Sequence, residues 1–355
     1  MKRTVLIGMS GGIDSAVAAY LLGTKGFHVE GLYIDNGYSI RAETEAESVC
    51  KRLGIDLHKV DAAAAFKKNV VDYFVSEYLS GKTPNPCAVC NQKIKFKYLI
   101  EQADSRGIDY IATGHYCRVE HDRNTGSYIL KQGYDNRKDQ SYFLFRLGQK
   151  ELARTVFPNG DLTKKNIREI AAKEKILFEE KNESQEICFI PSGNYRHFIE
   201  SNCTDPSVLA PGDIITHKGE IVGQHHGIHS VTIGQRKGLK IASERPYFVT
   251  AIDKNLNRVI VGRDEDQFSD GLTAIDVSWI HQEPEKSEQL TAVTRIRYRH
   301  RGVPSIIETF SHDRRRVAVR FNSPQKAVAP GQAAVFYEGD AILGGGWIDA
   351  VFRHV

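Results

Sequence analysis

The chain has 355 residues, is 41 % apolar and carries a net charge of +4, so it is long enough for two or three domains with real cores. No run approaches the roughly 18 apolar residues of a membrane span, and the short apolar run after Lys2 and Arg3 has no small-residue cleavage site, which argues against a secretory signal. Six scattered cysteines (Cys50, Cys87, Cys90, Cys117, Cys188 and Cys203) are too sparse for a disulfide scaffold, and a cytoplasmic enzyme with mostly reduced thiols is expected.

The N-terminus carries the first signal. Val5-Leu6-Ile7 is a strand-like run, and Ala16 to Leu22 is helical. Between them lie Gly8, Met9, Ser10, Gly11, Gly12, Ile13, Asp14 and Ser15. Glycines allow a tight turn and close backbone approach, and free N–H groups at a helix start attract anions. Asp14 among them suits a metal-binding or orienting role. The segment lacks both G-x-x-x-x-G-K-[ST] and G-x-G-x-x-G, but S-G-G-x-D-S resembles the pyrophosphate loop of N-type ATP pyrophosphatases. An ordinary glycine turn is the bland alternative.

Downstream, strands at 29–34, 57–60 and 110–113 alternate with helices at 41–53, 66–79, 93–105 and 166–175. This pattern predicts α/β architecture with a doubly wound parallel sheet, whose ligands bind beyond the carboxyl ends of the strands, near the glycine loop, Asp35 and Gly114-His115. Tyr116–Glu120 and Tyr128–Lys131 flank a turn and form a hairpin. Beyond about Ser192, Gly and Pro punctuate short strands, so two small β-rich domains follow, the last a β-barrel. The expected boundaries are 1–200, 205–270 and 272–355.

Thr83-Pro84-Asn85-Pro86-Cys87-Ala88-Val89-Cys90-Asn91 is read as a rigid extended surface loop. It would place Cys90 just ahead of a helix, where the helix end, Lys93 and Lys95 lower a thiol pKa. Cys90 is then reactive or metal-bound rather than buried and inert. Cys188, taken alone, is equally a core cysteine. His115 is as well explained by packing as by function. Lys138-Asp139-Gln140 has the composition of a solvated turn. Between Thr291 and Arg320, eight arginines face two acidic residues. Arg295, Arg297, Arg299 and Arg301 alternate with Ile296, Tyr298 and His300, so a strand would put all four on one phosphate-binding face, or on a solvated barrel exterior.

These blocks together resemble the bacterial tRNA-specific 2-thiouridylase family nearly end to end. The resemblance also rests on Ala112-Thr113-Gly114-His115-Tyr116, Lys138 to Leu144, Ile187-Cys188-Phe189-Ile190, Thr232 to Leu239, Pro330-Gly331-Gln332 and Leu343-Gly344-Gly345-Gly346. It implies ATP-dependent thiolation of C2 of a wobble uridine, by adenylation of the C2 oxygen and sulfur transfer from a cysteine persulfide. Cys188 would carry the persulfide and Cys90 would complete transfer, leaving a Cys90–Cys188 disulfide. ATP, with Mg2+, would meet Gly8–Ser15, Ile34 and Gly114. The tRNA anticodon stem-loop would meet Asn85, Pro86, Cys87, His115, Lys138, Asp139, Gln140, Arg297, Tyr298 and Gln332. A persulfide-donating carrier or cysteine desulfurase would supply sulfur. Many members have Asp where this chain has Cys87. The resulting Cys87, Cys90 and Cys188 set offers an alternative: an iron–sulfur cluster binding labile sulfide. A more remote alternative is an ATP-dependent amidoligase of the same superfamily.

Overall fold

The computed structural model describes residues 3–39, 41–176, 187–190, 193–281, 283–285, 289–310 and 313–352. The chain starts with β1 (Thr4–Gly8), whose Val5, Leu6 and Ile7 are wholly buried, as suits a central strand covered on both faces. α1 (Ile13–Thr24), β2 (His28–Asp35), α2 (Ala42–Leu53) and β3 (Leu57–Asp61) follow, with Gly54 ending α2 in a left-handed conformation (φ 66°). α3 (Ala63–Phe66) passes through a π turn, Lys67–Val71, into α4 (Asp72–Leu79). α5 (Pro86–Cys90) passes through a second π turn, Asn91–Phe96, into α6 (Lys97–Ser105). β4 (Tyr110–Ala112), the hairpin β5 (Cys117–His121) and β6 (Tyr128–Gln132), α7 (Gln149–Leu152), β7 (Thr155–Val156) and α8 (Lys164–Lys173) complete this part.

The first sheet is parallel in the order β3-β2-β1-β4-β7. The chain winds outward from β1 on one side, then returns to the other through β4. The crevice between β1 and β4 is therefore the topological switch point, where such sheets bind ligands. α1, α2 and α8 cover one face with Val17, Ala46, Val49 and Ile167. Phe96, Leu99 and Ile111 belong to the core on the other.

After α9 (Tyr195–Asn202), β8 (Gly212–Thr216), β9 (Ile221–His225), β10 (Phe248–Asp253) and β11 (Arg258–Gly262) make a small mixed sheet ordered β10-β11-β8-β9. β12 (Phe268–Trp279), β13 (Gln289–Arg295), β14 (Val303–Phe310), β15 (Asp313–Lys326), β16 (Ala333–Glu338) and β17 (Ala341–Phe352) form an antiparallel barrel, closed by pairing of β12 with β17. Closure removes the open edges of this sheet. No helix among the described residues is long and apolar enough to cross a membrane.

Three local expectations are corrected. The helix expected from Lys93 begins at Pro86, so Cys90 lies inside a helical run instead of ahead of it. The cause is local: Asn85 caps the helix, its Oδ1 accepting the Ala88 N–H at 3.3 Å, and Pro86 takes the first turn, where a missing N–H costs nothing. The four-arginine strand face does not form either. β13 ends at Arg295, and the chain then turns, with His300 N–H bonded to Arg297 O at 3.0 Å and Gly302 at φ +91°. Finally, the hairpin β5–β6 does form, but it joins the barrel: β6 pairs with β17 at Lys131 and Ala341, making one eight-stranded sheet that spans both parts of the chain.

Candidate functional site

The loop between β1 and α1 needs its glycines. Gly11 has φ +74°, and a Cβ there would lie 2.9 Å from the Ala42 carbonyl oxygen. Ser15 Oγ donates to Gly12 O at 2.9 Å and accepts from Ser10 N–H at 3.3 Å, while the Ser10 and Ser15 hydroxyls are 3.2 Å apart. Across the switch point, Gly114 packs directly on this loop: a Cβ there would lie 2.8 Å from the Asp14 carbonyl carbon and the Ser15 nitrogen. Loop, Ile34 at the end of β2 and Gly114 after β4 thus rim one crevice. It is a cradle for an anionic ligand, with a helix start and two hydroxyls facing it.

Asp14 does not face this crevice alone. Both its carboxylate oxygens accept from Lys164 Nζ, at 2.7 and 2.9 Å, and Oδ1 also accepts from the Tyr116 hydroxyl at 2.6 Å. Asn159 Nδ2 donates to the backbone oxygens of Asp14 and Gly114, at 3.0 and 2.9 Å, locking the two rims together. Lys164 is buried at the first position of α8, where Thr163 forms a capping box. Lys164, Tyr116 and Asn159 carry no motif that marks them in the sequence. Only the tertiary fold brings them to the loop.

His115 follows Gly114. Its ring stacks on Phe96, with centroids 6.1 Å apart, and its Nδ1 lies 2.8 Å from Thr113 Oγ1. Burial, with the nearby charge of Lys95, pushes its pKa down to about 3, so it is neutral at ordinary pH. Gln140 bonds to Tyr116 twice, its N–H donating to Tyr116 O at 2.9 Å and its Oε1 accepting Tyr116 N–H at 3.1 Å. Asp139 is buried and accepts from the N–H groups of Gly133 and Ser141, both at 3.1 Å, and from Arg295 at 3.0 Å. The segment Lys138-Asp139-Gln140 is therefore tied into the protein and is no solvated turn. Arg295 also lies over the Tyr337 ring. Tyr298 stacks on Phe143, centroids 4.6 Å apart, and lines a cavity of about 310 Å³ with Asn136, Arg137, Asp139, Arg295 and Arg299. Arg297 is exposed and donates to Lys326 O at 3.2 Å.

The thiols stand beyond this rim. Asn91 Nδ2 donates to Phe143 O at 3.2 Å, and Gln332 Nε2 donates to the carbonyls of Thr83 and Pro84, at 3.2 and 3.0 Å. The α5 segment is thus held from both the 141–144 turn and the barrel. Asn85, Pro86 and Cys90 are buried, whereas Cys87 meets solvent in a recess of the surface. Phe189 is buried among Phe66, Phe74, Phe198 and Tyr38, in the aromatic cluster to which Cys90 also belongs. That anchor leaves its neighbour Cys188 exposed and within electrostatic reach of both Cys87 and Cys90. Glu183 to Glu186, which precede Cys188 in its motif, lie outside the described residues.

Two chemical expectations change here. Burial pushes the Cys90 thiol up to about 12, against the lowering charge of Lys95, so the resting thiol is protonated instead of activated. Burial also raises Cys87. All six cysteines are free thiols, so the Cys90–Cys188 disulfide implied by resemblance is absent from this state. Among the described residues, no three His, Cys, Asp or Glu side chains stand close enough together to hold a metal ion.

Comparison with known proteins adds the family. Residues 3–192 match a model described as the tRNA methyl transferase HUP domain, residues 197–263 its PRC-barrel domain, and residues 269–348 the aminomethyltransferase β-barrel domain. The chain is 48 % identical over 337 residues to tRNA-specific 2-thiouridylase MnmA 2 of Syntrophus aciditrophicus, covering 90 % of this chain and 98 % of that one. It is 42 % identical to tRNA-specific 2-thiouridylase MnmA of Carboxydothermus hydrogenoformans, over 98 % of each. The chain belongs to the tRNA-specific 2-thiouridylase family. In this member the family's motif blocks adjoin one another: the glycine loop touches Gly114, Tyr116 touches Gln140, Phe143 touches Asn91, and Gln332 touches Pro84.

Proposed function

We propose that this chain uses ATP to thiolate C2 of a uridine in the anticodon loop of tRNA. A carbonyl oxygen is a poor leaving group. Transfer of AMP to it, with release of pyrophosphate, converts it into a good one. Gly8–Ser15, Ile34 and Gly114 would hold the nucleotide, and Mg2+ would accompany its phosphates. Lys164 already engages both oxygens of Asp14, which favours an orienting role for Asp14 over metal ligation. The flipped base, cheap to expose from a loop, would enter beside Asn85, Pro86, Cys87 and His115, with the stem on Lys138, Asp139, Gln140, Arg297, Tyr298 and Gln332. A persulfide on Cys188, charged by a cytoplasmic sulfur carrier or desulfurase, would deliver the outer sulfur to C2 while Cys90 takes up the Cys188 sulfur.

One observation carries this reading: Cys87, Cys90 and Cys188 lie within electrostatic reach of one another, beside a rim that begins at the glycine loop. The test is pyrophosphate release from ATP. It is expected to require tRNA and not to respond to ammonia or aspartate, which an amidoligase would use. Cys188→Ser is expected to retain tRNA-dependent release and to form no 2-thiouridine. Full thiolation by that variant would sink the proposal. The cluster route is the second reading, favoured by Cys87 and Cys90 one helical turn apart. The thiol spacing described above does not hold a metal as it stands, so that route requires rearrangement. Stoichiometric iron and sulfide after anaerobic purification, lost in Cys87→Ser, would establish it.

A further inference from the structure

Cys90 is set in a place that opposes its ionisation. It is buried in an aromatic and aliphatic cluster with Phe66, Phe74, Ile94 and Phe189. A thiol there is inert unless something nearby stabilises its anion. The titratable groups in electrostatic reach are Cys87 on its own helix, Cys188 from the facing segment, and Lys95. The phenols of Tyr38, Tyr78, Tyr98 and Tyr195 pack in the same cluster. Lys95 alone among these brings positive charge.

The backbone explains why it is Lys95. In a regular α-helix, a residue five positions on points roughly 140° away, at about 100° per residue. Here the run Asn91–Phe96, directly after Cys90, is a π turn. Its i→i+5 bonding carries the residue five positions on back to the starting face. Cys87 and Cys90, three apart, already share that face. The extra residue of the π turn therefore puts Lys95 in line with both thiols. Lys93, two positions earlier, is off that line. Lys95 is solvent-exposed, and among the described residues it has no acidic partner to neutralise it. Its charge also reaches His115, on the strand that flanks the nucleotide loop. π turns of this kind recur at functional sites.

We infer that Lys95 is a positioning residue for the sulfur chemistry, held by the π turn so that its ammonium stabilises the thiolate of Cys90 and, on the same face, that of Cys87. On ionisation the S–H bond breaks, the electron pair stays on sulfur, and the proton leaves to water. Lys95 supplies the counter-charge without taking part in bond making. The inference gives a role within the proposed function, but its test needs neither ATP, tRNA nor a sulfur donor.

The experiment is carbamidomethylation of Cys90 by iodoacetamide, followed by peptide mass spectrometry, in the full-length Cys87→Ser protein between pH 7 and 9. The rate tracks the thiolate fraction. Lys95→Met is expected to slow Cys90 labelling about tenfold at every pH. Lys95→Arg is expected to stay within about twofold of the parent, because it restores the charge. Lys93→Met, the same charge loss on another face, is also expected to stay within about twofold. An unchanged rate in Lys95→Met, an equal loss in Lys93→Met, or failure of Lys95→Arg to restore labelling would each overturn the inference. A protein that passes this test yet makes no 2-thiouridine would keep the inference and refute the proposed reaction.

Discussion

The glycine loop and the thiol face are neighbours built on opposite principles. The loop is a dense polar network. Asp14 alone accepts from Lys164 and Tyr116, and Asn159 fastens its backbone to Gly114. The thiol face is an apolar box of aromatic rings with one cation at its edge. A phosphate site gains from fixed donors, since charge must be met without reorganisation. A sulfur nucleophile gains from a setting that keeps it protonated until it is needed. The contrast teaches that geometry is locked on the nucleotide side, while protonation is controlled on the sulfur side.

The sharpest way to break this contrast is Gly114→Ala. Its Cβ would collide with the Asp14–Ser15 backbone, and displacing the loop by even part of an ångström is expected to cut kcat/KM for ATP about a hundredfold. Folding, checked by far-UV circular dichroism, should persist. Lys164→Met comes next. It strands a partly buried carboxylate, and urea titration is expected to show a loss of about 2 kcal/mol, below the cost of a fully buried pair because Asp14 keeps some solvent contact. A neutral outcome would mean that the network is not what holds the loop.

His115 probes the boundary between the two regions through pH. Its folded pKa, near 3, lies below the unfolded value of about 6.5, so on acidification the unfolded chain binds the proton first. Its contribution is fully present above about pH 6.5 and is lost as pH falls toward 3. The slope from this one residue is at most about 1.4 kcal/mol per pH unit. His115→Gln is expected to flatten the stability profile in that window. The smallest effect is expected from Cys87→Ser. Cys87 is exposed, so stability should stay within about 0.5 kcal/mol of the parent, and a larger loss would mean that the thiol face depends on polar packing after all.

Much of the first sheet was legible because its signals are local. β1, the glycine loop and α1 are contiguous, and β2, β3 and β4 alternate with helices at ordinary spacing. What was illegible came from distance or from competing local rules. Lys164 lies 150 residues from Asp14, and nothing in a lone lysine announces a buried ion pair. Asn85-Pro86 reads equally as an extended turn and as a helix cap with proline in the first turn. Tertiary contacts from Tyr73 and Gln332 accompany the second. The arginine alternation was real, but β13 stops at Arg295, where that side chain is drawn to buried Asp139. The eight-stranded sheet was hidden because β6 finds its third neighbour more than two hundred residues downstream.

That shared sheet has a practical corollary for anyone dissecting the molecule. Thr83 N–H bonds to Pro330 O at 2.8 Å, Gln132 N–H bonds to Asp340 O at 2.8 Å, and Gly331 sits so close that a Cβ would strike the Thr83 carbonyl. Cutting the chain ahead of residue 268 would bare a β-edge at β6 and unhook the segment that leads into the cysteine helix. The C-terminal barrel is thus a splint on the catalytic half, and trimming it is expected to yield a sticky, misaligned remnant in place of a smaller working enzyme.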